Sequence, residues 1–372
     1  MRRILLAGVT TLMATAMLGS ASANTISFTV DCSKGQTIGA ALQRGDARKP
    51  LQLMIRGTCN ESVSIDRDDV TLRGQPGTGA TVSGPDPATD TIVILKDTVN
   101  IEDLTVTGGF NGIRLQGPFY AGVKNVLVRN TASNGIIVRA GDIAIENSTV
   151  EYAGGSGLVL GRGASARIFN NSHFRYSHLS GITADNNSTL GMNGGTVSNS
   201  EGHGINVGNG SQGNVSNVEI FGNTTGFVVS ASQASLGGGN FIHHNREHGV
   251  LAQAGSVVGV DNNTIADNGQ MGVFGYLGST VVMHGNEITD NTGTGVACRT
   301  DCTLQIGGAH ITRNGDHGVV VQLRSTLILE EPRTDGSGNY GWVDLWCGDK
   351  ESSVDLGSNF SGTVSDTCTG FD

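Results

Sequence analysis

From about residue 105 onward, apolar and polar positions alternate in short segments of three to five residues. The run Ser279-Thr-Val-Val-Val-Met-His-Gly-Asn-Glu-Ile-Thr-Asp-Asn291 contains two such segments. Period-two alternation over so few residues predicts short strands with one buried face. The segments recur in phase. A glycine followed by an aliphatic or aromatic residue, any residue, and usually another apolar one stands at Gly112, Gly135, Gly157, Gly181, Gly204, Gly226, Gly249, Gly272, Gly295, Gly318 and Gly341. The ten intervals between these glycines are 22 to 24 residues. A fixed period of this size marks a solenoid. Three strands and three turns per repeat fit one coil of a parallel β-helix, with stacked coils about 4.8 Å apart. Crossovers between parallel strands are right-handed in nearly all cases, so the expected hand is right. A leucine-rich repeat has a similar period, but its leucine-asparagine signature is missing. Helical solenoids need longer repeats with less glycine.

The ends break the pattern. Thr37 to Arg44 reads as a short amphipathic helix suited to plug the N-terminal end, and residues 341–372 carry both tryptophans and read as the opposite cap. The expected organisation is therefore residues 1–23 as a signal peptide, 24–60 as an N-terminal cap, 61–340 as the β-helix and 341–372 as a C-terminal coil and cap. The signal reading rests on Arg2 and Arg3, an apolar stretch from Ile4 to Leu18, and Ala21-Ser22-Ala23 as a small-x-small cleavage site. Removing 23 residues from 372 leaves 349 and takes the net charge from −10 to −12.

Composition narrows the class. Glycine is 57 of 372 residues, charged residues are 15%, aromatics 5% and prolines 6. Scarce proline excludes collagen, and 37% hydrophobic residues supply a core that a disordered chain lacks. Six cysteines in an exported chain predict three disulfides, for which Cys32–Cys59, Cys298–Cys302 and Cys347–Cys368 are the expected pairs among fifteen pairings. No CxxC spacing points to zinc. No metal, cofactor, nucleic-acid or membrane partner is expected, and a negative net charge argues against nucleic acid. The protein is expected to be a monomer in the periplasm or medium.

Counted from each repeat glycine, Asn223, Asn245, Asn268, Asn291 and Asn314 share position nineteen, and Ser188, Ser211, Ser256, Ser279 and Ser325 share position seven. These read as structural ladders that satisfy turn backbone. Coils, aliphatic core, asparagine ladder and plugging helix together resemble the pectin-lyase-like superfamily. That resemblance implies an exported right-handed parallel β-helix, all-β and single-domain, acting on an acidic polysaccharide. Its catalytic motifs do not transfer. Glu201-Gly-His-Gly-Ile205 is similar to the polygalacturonase Gly-His-Gly, yet Asp68-Asp69 lies over five coils away, and His-Gly recurs at His248-Gly249 and His317-Gly318 as part of the repeat. The Asp-Pro-His-Asp motif of alginate epimerases is absent. Outward positions hold one carboxylate, too few for a calcium site.

Two constellations remain. His203 as a base, Asp185 holding its ring and Arg139 form a candidate catalytic set for a metal-independent uronate lyase or epimerase, with Arg114, Arg162, Asn206 and Tyr276 binding substrate. The competing set is His244, Asp267, Asp290 and Arg313 at position eighteen, either an acid pair or an ion-pair ladder. A non-catalytic carbohydrate-binding protein or a structural, adhesive surface rod is the alternative function.

Overall fold

The computed structural model describes residues 25–331, 333–355 and 359–368. The signal-peptide reading of residues 1–23 falls outside these. The described chain is a single parallel β-helix built of three long sheets: sheet A of fifteen strands starting at Ile26–Asp31, sheet B of fourteen starting at Thr58–Asn60, and sheet C of thirteen starting at Val63–Ile65. Every pairing within them is parallel, and each strand pairs with the strands one coil before and one coil after. No helix is long and apolar enough to cross a membrane among the described residues.

The strands form where alternation permits one face to be buried. In sheet C the inward row runs Ile113, Ile136, Leu158, Ile182, Ile205, Phe227, Val250, Val273, Val296, Val319 and Leu345 in register, each fully buried. Burial of each such side chain contributes roughly 1.5–3 kcal/mol, and the row is continuous because every coil adds one more. The repeat glycine sits where the chain enters sheet C. A Cβ at Gly272 would lie 2.6 Å from Ile288 Cγ2 and 2.7 Å from the Gly295 carbonyl oxygen, so no larger residue fits.

Turns set the remaining grammar. The residue after the sheet B strand adopts left-handed φ in coil after coil: Asn130 at 53°, Tyr152 at 52°, Tyr176 at 56°, His244 at 51°, Asp267 at 54°, Asp290 at 58° and Arg313 at 57°. In the later coils the buried asparagine that follows it feeds the ladder. Asn240, Asn263 and Asn286 form a second buried asparagine ladder between sheets A and B, and the serines at position seven are buried as a third.

At the N-terminal end the helix spans Ile38–Leu42, shorter than Thr37 to Arg44. Thr37 Oγ1 accepts from Ala40 N at 3.2 Å, and the Glu61 carboxylate accepts from Ile38 N at 2.6 Å and Gly39 N at 3.0 Å. Its buried face, Ile38, Ala41 and Leu42, packs on the first strands. Parallel strands begin at Ile26, within the segment read as a cap, and the first pairing of sheet A runs from Ile26↔Leu51 through Asp31↔Arg56. At the other end Leu345–Cys347, Ser353–Asp355 and Phe360–Ser361 extend all three sheets past residue 340. Here the sequence period misleads. Val319 pairs with Leu345, so Asp344 and not Gly341 occupies the repeat position, and this coil is 26 residues long. Gly341 is required for a different reason: a Cβ there would meet His317 Nδ1 at 2.6 Å.

The disulfides are Cys32–Cys59, Cys298–Cys302 and Cys347–Cys368. Cys32, Cys59 and Glu61 cluster closely enough to suggest a cation site. However, both sulfurs are in the disulfide and Glu61 caps the helix, so this cluster has a structural explanation.

Candidate functional site

The outward face of sheet C presents three rows of residues, a floor and two walls. Its floor is the central residue of each strand: Arg114, Ile137, Val159, Thr183, Asn206, Val228, Leu251, Phe274, Ala297, Val320 and Trp346, in register. One wall is the residue before each repeat glycine, and the other is the residue two past each floor position, among them Arg139, Asp185 and Tyr276. First-wall side chains fold over the floor of the next coil: Ser156 Oγ lies 3.5 Å from Thr183 Oγ1, the His248 ring 5.2 Å from the Phe274 ring, and the His317 ring 5.4 Å from Trp346.

Beyond Arg114 the floor is apolar except at Thr183 and Asn206, neighbours in register. His203 stands on one wall of this polar stretch and Asp185 on the other. The His203 carbonyl accepts from Gly181 N, which places His203 beside Ser180, five residues before Asp185. At about 3.3 Å per residue their backbones are roughly 16 Å apart. Asp185 therefore does not hold the His203 ring, and that expectation is corrected. Instead the two stand on opposite sides of the polar floor stretch, His203 on the loop before Gly204 and Asp185 just past the strand Ile182–Ala184. Both carry a buried polar atom without a hydrogen-bond partner among the described residues, His203 Nδ1 and Asp185 Oδ1. Space opens beside Asp185, because the equivalent positions on the coils before and after are Gly161 and Gly208, and a Cβ at Gly208 would sit 3.1 Å from Asp185 Oδ1.

Burial pushes His203 below the ordinary histidine value, with the Glu247 carboxylate opposing part of that shift. The ring is thus neutral at pH 7 and able to accept a proton. His248, two coils on, is also lowered by burial, opposed by Glu247 and reinforced by Arg299. Thr225 Oγ1, on the intervening coil, donates to Glu247 Oε2 at 3.4 Å. Arg246 reaches back to the Glu201 carbonyl at 2.6 Å and Thr224 Oγ1 at 2.7 Å, pinning the loop that carries His203. Sequence reasoning missed Glu247 and Arg246 and treated His248 as repeat grammar. The signal that finds them is position: each lies in the loop immediately before a repeat glycine, the segment that forms the wall.

The other expected residues separate. Arg139 is exposed at the second wall two coils before Asp185, and Arg162 is exposed on the adjacent turn with φ 55°. Neither has an ion-pair partner among the described residues. Arg114 is committed elsewhere: its guanidinium donates to the buried Asp90 carboxylate at 2.8 Å and to Gln116. Asn206 is on the polar floor. Tyr276 lies three coils further on, its ring 5.5 Å from Phe274, and Arg299 covers Phe274 at 5.7 Å.

The second constellation lies outside the groove, on the left-handed turns between sheets B and C. Arg313 donates to both Asp290 oxygens at 3.0 and 2.7 Å, which holds the Asp290 carboxyl below its usual range. Asp290 is thus held by Arg313, and no hydrogen bond joins it to Asp267 among the described residues. His244 contacts His243 Nδ1 at 2.7 Å rather than pairing with Asp267. These four residues share a row because the turn repeats.

Comparisons bear on the fold. No curated protein matches the sequence. The chain is similar in structure to the periplasmic alginate epimerase AlgG, with a TM-score of 0.51, 14% identity, and 92% of this chain and 84% of that one covered. It is also similar to the Azotobacter vinelandii mannuronan C-5 epimerase AlgE4 A-module, with a TM-score of 0.49, 16% identity, and coverage of 88% and 92%. A third similarity is to the catalytic unit of a GH87 alpha-1,3-glucanase from Streptomyces thermodiastaticus, with a TM-score of 0.44, 13% identity, and coverage of 88% and 71%. Identities this low speak to fold alone. The family model for the right-handed beta helix region matches residues 111–240 and 232–356, two overlapping spans that cover most of the stack. On that match the chain belongs to the right-handed beta helix family.

Proposed function

We propose that this is an exported, monomeric protein that binds an acidic polysaccharide along sheet C and processes it as a metal-independent uronate lyase or epimerase. The observation that carries the reading is the two unpartnered buried atoms, His203 Nδ1 and Asp185 Oδ1, on either side of the polar floor stretch at Thr183 and Asn206. Buried polar atoms in native proteins ordinarily find a partner, and two left without one beside that floor suit a ligand that supplies it. A periplasmic alginate epimerase among the structural neighbours supports a polysaccharide role. Export accords with three disulfides, which persist in oxidising compartments.

Arg139 and Arg162 grip uronate carboxylates, since an unpaired guanidinium matches a carboxylate bidentately. Asp185 accepts hydrogen bonds from sugar hydroxyls and fixes the ring. Neutral His203 removes the proton from the carbon bearing the carboxylate. The electron pair left behind either takes a proton from water on the opposite face, which gives the epimer, or expels the glycosidic oxygen of the neighbouring carbon. The second outcome leaves a carbon–carbon double bond and a new chain end that takes a proton from water. An ultraviolet-absorbance screen against alginate, pectate and hyaluronan, with and without EDTA, tests the lyase branch. Rising absorbance insensitive to EDTA is expected from elimination, whereas loss with EDTA contradicts a metal-independent site.

The competing reading is binding without chemistry. It rests on the partly exposed apolar floor residues Leu251, Phe274 and Trp346, which offer contact surface but no reactive group of their own.

A further inference from the structure

On sheet B, away from the outward face of sheet C, two histidine rings meet. His243 closes the strand Phe241–His243, and His244 follows it in the turn. Successive side chains along a strand point to opposite faces. The left-handed φ of 51° at His244 breaks that alternation, and the Nδ1 atoms of the two rings approach to 2.7 Å. Asn245, buried in the asparagine ladder, secures the bend by donating its side-chain amide to the His243 carbonyl at 3.2 Å.

The His243 ring is held in place. It stacks on Phe241 at 3.9 Å with 22° between the planes, and on Phe221 of the preceding coil at 5.2 Å and 11°. Its Nε2 lies 3.2 Å from Glu219 Oε1, and its side chain is 12% exposed. An ionised carboxylate only accepts, so Nε2 carries the hydrogen. In the neutral ring Nδ1 is then a lone pair, and it is aimed at the His244 ring. A carboxylate on one imidazole nitrogen, with the other nitrogen left to ligate, is the arrangement that orients metal-binding histidines. The separation narrows the ion. Two nitrogens about 2.0 Å from one metal are about 2.8 Å apart at a right angle and about 3.3 Å apart at the tetrahedral angle. The observed 2.7 Å matches the right angle, the geometry of tetragonal Cu(II) and Ni(II) sites. Of these two, copper binds the more tightly.

We propose that His243 Nδ1 and His244 Nδ1 chelate one divalent transition-metal ion, copper before nickel, with Glu219 orienting the His243 ring and water completing the coordination. His244 is exposed, which gives the ion access and leaves room for that water. Asp267, next along the turn row, is exposed and hydrogen-bonded to neither ring among the described residues; it adds a screened charge and is not a ligand. The site is independent of the chemistry proposed at sheet C, so EDTA strips the ion without affecting that chemistry. The competing content of the same geometry is a proton, with His244 Nδ1–H donating to His243 and no ion bound.

Copper(II) added to the full-length protein, followed by isothermal titration and by electron paramagnetic resonance, separates the two. The chelate predicts one saturable ion per chain, with splitting from two ring nitrogens. His244→Asn keeps the left-handed turn, since Asn199 holds the same turn position at φ 56°. It is expected to weaken binding about tenfold or more and to remove the two-nitrogen pattern. His243→Phe, which continues the aromatic stack, is expected to do the same. Glu219→Gln is expected to weaken binding about tenfold, and no change there denies Glu219 its orienting role. His310→Ala, at an exposed histidine of the same sheet, leaves both readouts unchanged. Melting followed by circular dichroism establishes that each variant is folded. Unchanged copper binding in His244→Asn, or an equal loss in His310→Ala, overturns the site and leaves the pair sharing a proton only.

Discussion

Asn245 and Asn268, on successive coils, are tied through one oxygen: Asn268 Oδ1 accepts both the main-chain N–H of Asn245 at 3.1 Å and its side-chain amide at 3.0 Å. Asn268 in turn donates to the Ile242 and Ala266 carbonyls and to Asn291. The same arrangement repeats from Asn223 to Asn314, all buried. Replacing Asn268 with Ala leaves several buried donors and acceptors unpaired at once. Each such group costs roughly 1–3 kcal/mol, so Asn268→Ala is expected to lower stability by about 2–4 kcal/mol. Denaturant unfolding monitored by circular dichroism measures it, and a change under ~1 kcal/mol would contradict the ladder's role.

A pH-dependent contribution is expected on sheet A. His284 Nδ1 lies 3.0 Å from Asp261 and its Nε2 lies 3.3 Å from Glu330, two coils further on. Burial works against the charged ring, but hydrogen bonds and charge from the two carboxylates outweigh it and raise the value above 6.5. A raised folded-state value means that the stabilisation is fully present below the unfolded value of about 6.5 and fades as pH rises through the folded one. The stability difference between wild type and His284→Gln is therefore expected to be largest near pH 5 and to vanish in mildly alkaline buffer. Thermal melts across that range check it, and a difference that grows with pH refutes it.

His203 predicts the opposite direction for activity. Burial lowers its value, so the base form persists below pH 6.5, the ordinary value. The acid limb of the pH–rate profile is expected below that point. His203→Ala should cost about 10²- to 10⁴-fold in turnover, the usual range for general base catalysis. Asp185→Asn, which keeps the shape but alters the acceptor, is expected to raise the Michaelis constant more than it lowers turnover. Steady-state kinetics on the same polymer separates the two.

The row of His244, Asp267, Asp290 and Arg313 carries a negative prediction. Asp290 is exposed and paired, and exposed pairs contribute little. Asp267→Asn and Asp290→Asn are expected to leave activity, cation response and melting nearly unchanged. Loss of activity in either variant would move the site to the turns.

Much of the fold is readable because the repeat glycine is enforced by contact. The approach of Ile288, Gly295 and Asn291 to Gly272 recurs coil after coil, so the period is written in residue identity. The same logic fails at Gly341, where a glycine of unrelated packing imitates the repeat. The second asparagine ladder is hidden because only Asn240, Asn263 and Asn286 belong to it, too few to stand out in an asparagine-rich chain. For the site, sequence position puts His203, Asn206 and Asp185 around the outward side of sheet C. It fails to distinguish the two walls, since neighbouring coils bring together residues that lie far apart along one strand. That is why the sequence assigns Asp185 to the His203 ring, and why it does not reveal Glu247, whose charge reaches His203 from two coils away.

The most direct test of the central claim follows solvent deuterium. Lyase and epimerase chemistry both begin with loss of the proton beside the uronate carboxylate. Uronate polymers incubated with the protein in deuterium oxide, read by nuclear magnetic resonance, report either outcome. Wild type is expected to leave deuterium at that carbon or an unsaturated chain end, and His203→Ala neither. A polymer that binds along sheet C yet shows no exchange and no elimination would contradict it, and would make the protein a binding rod.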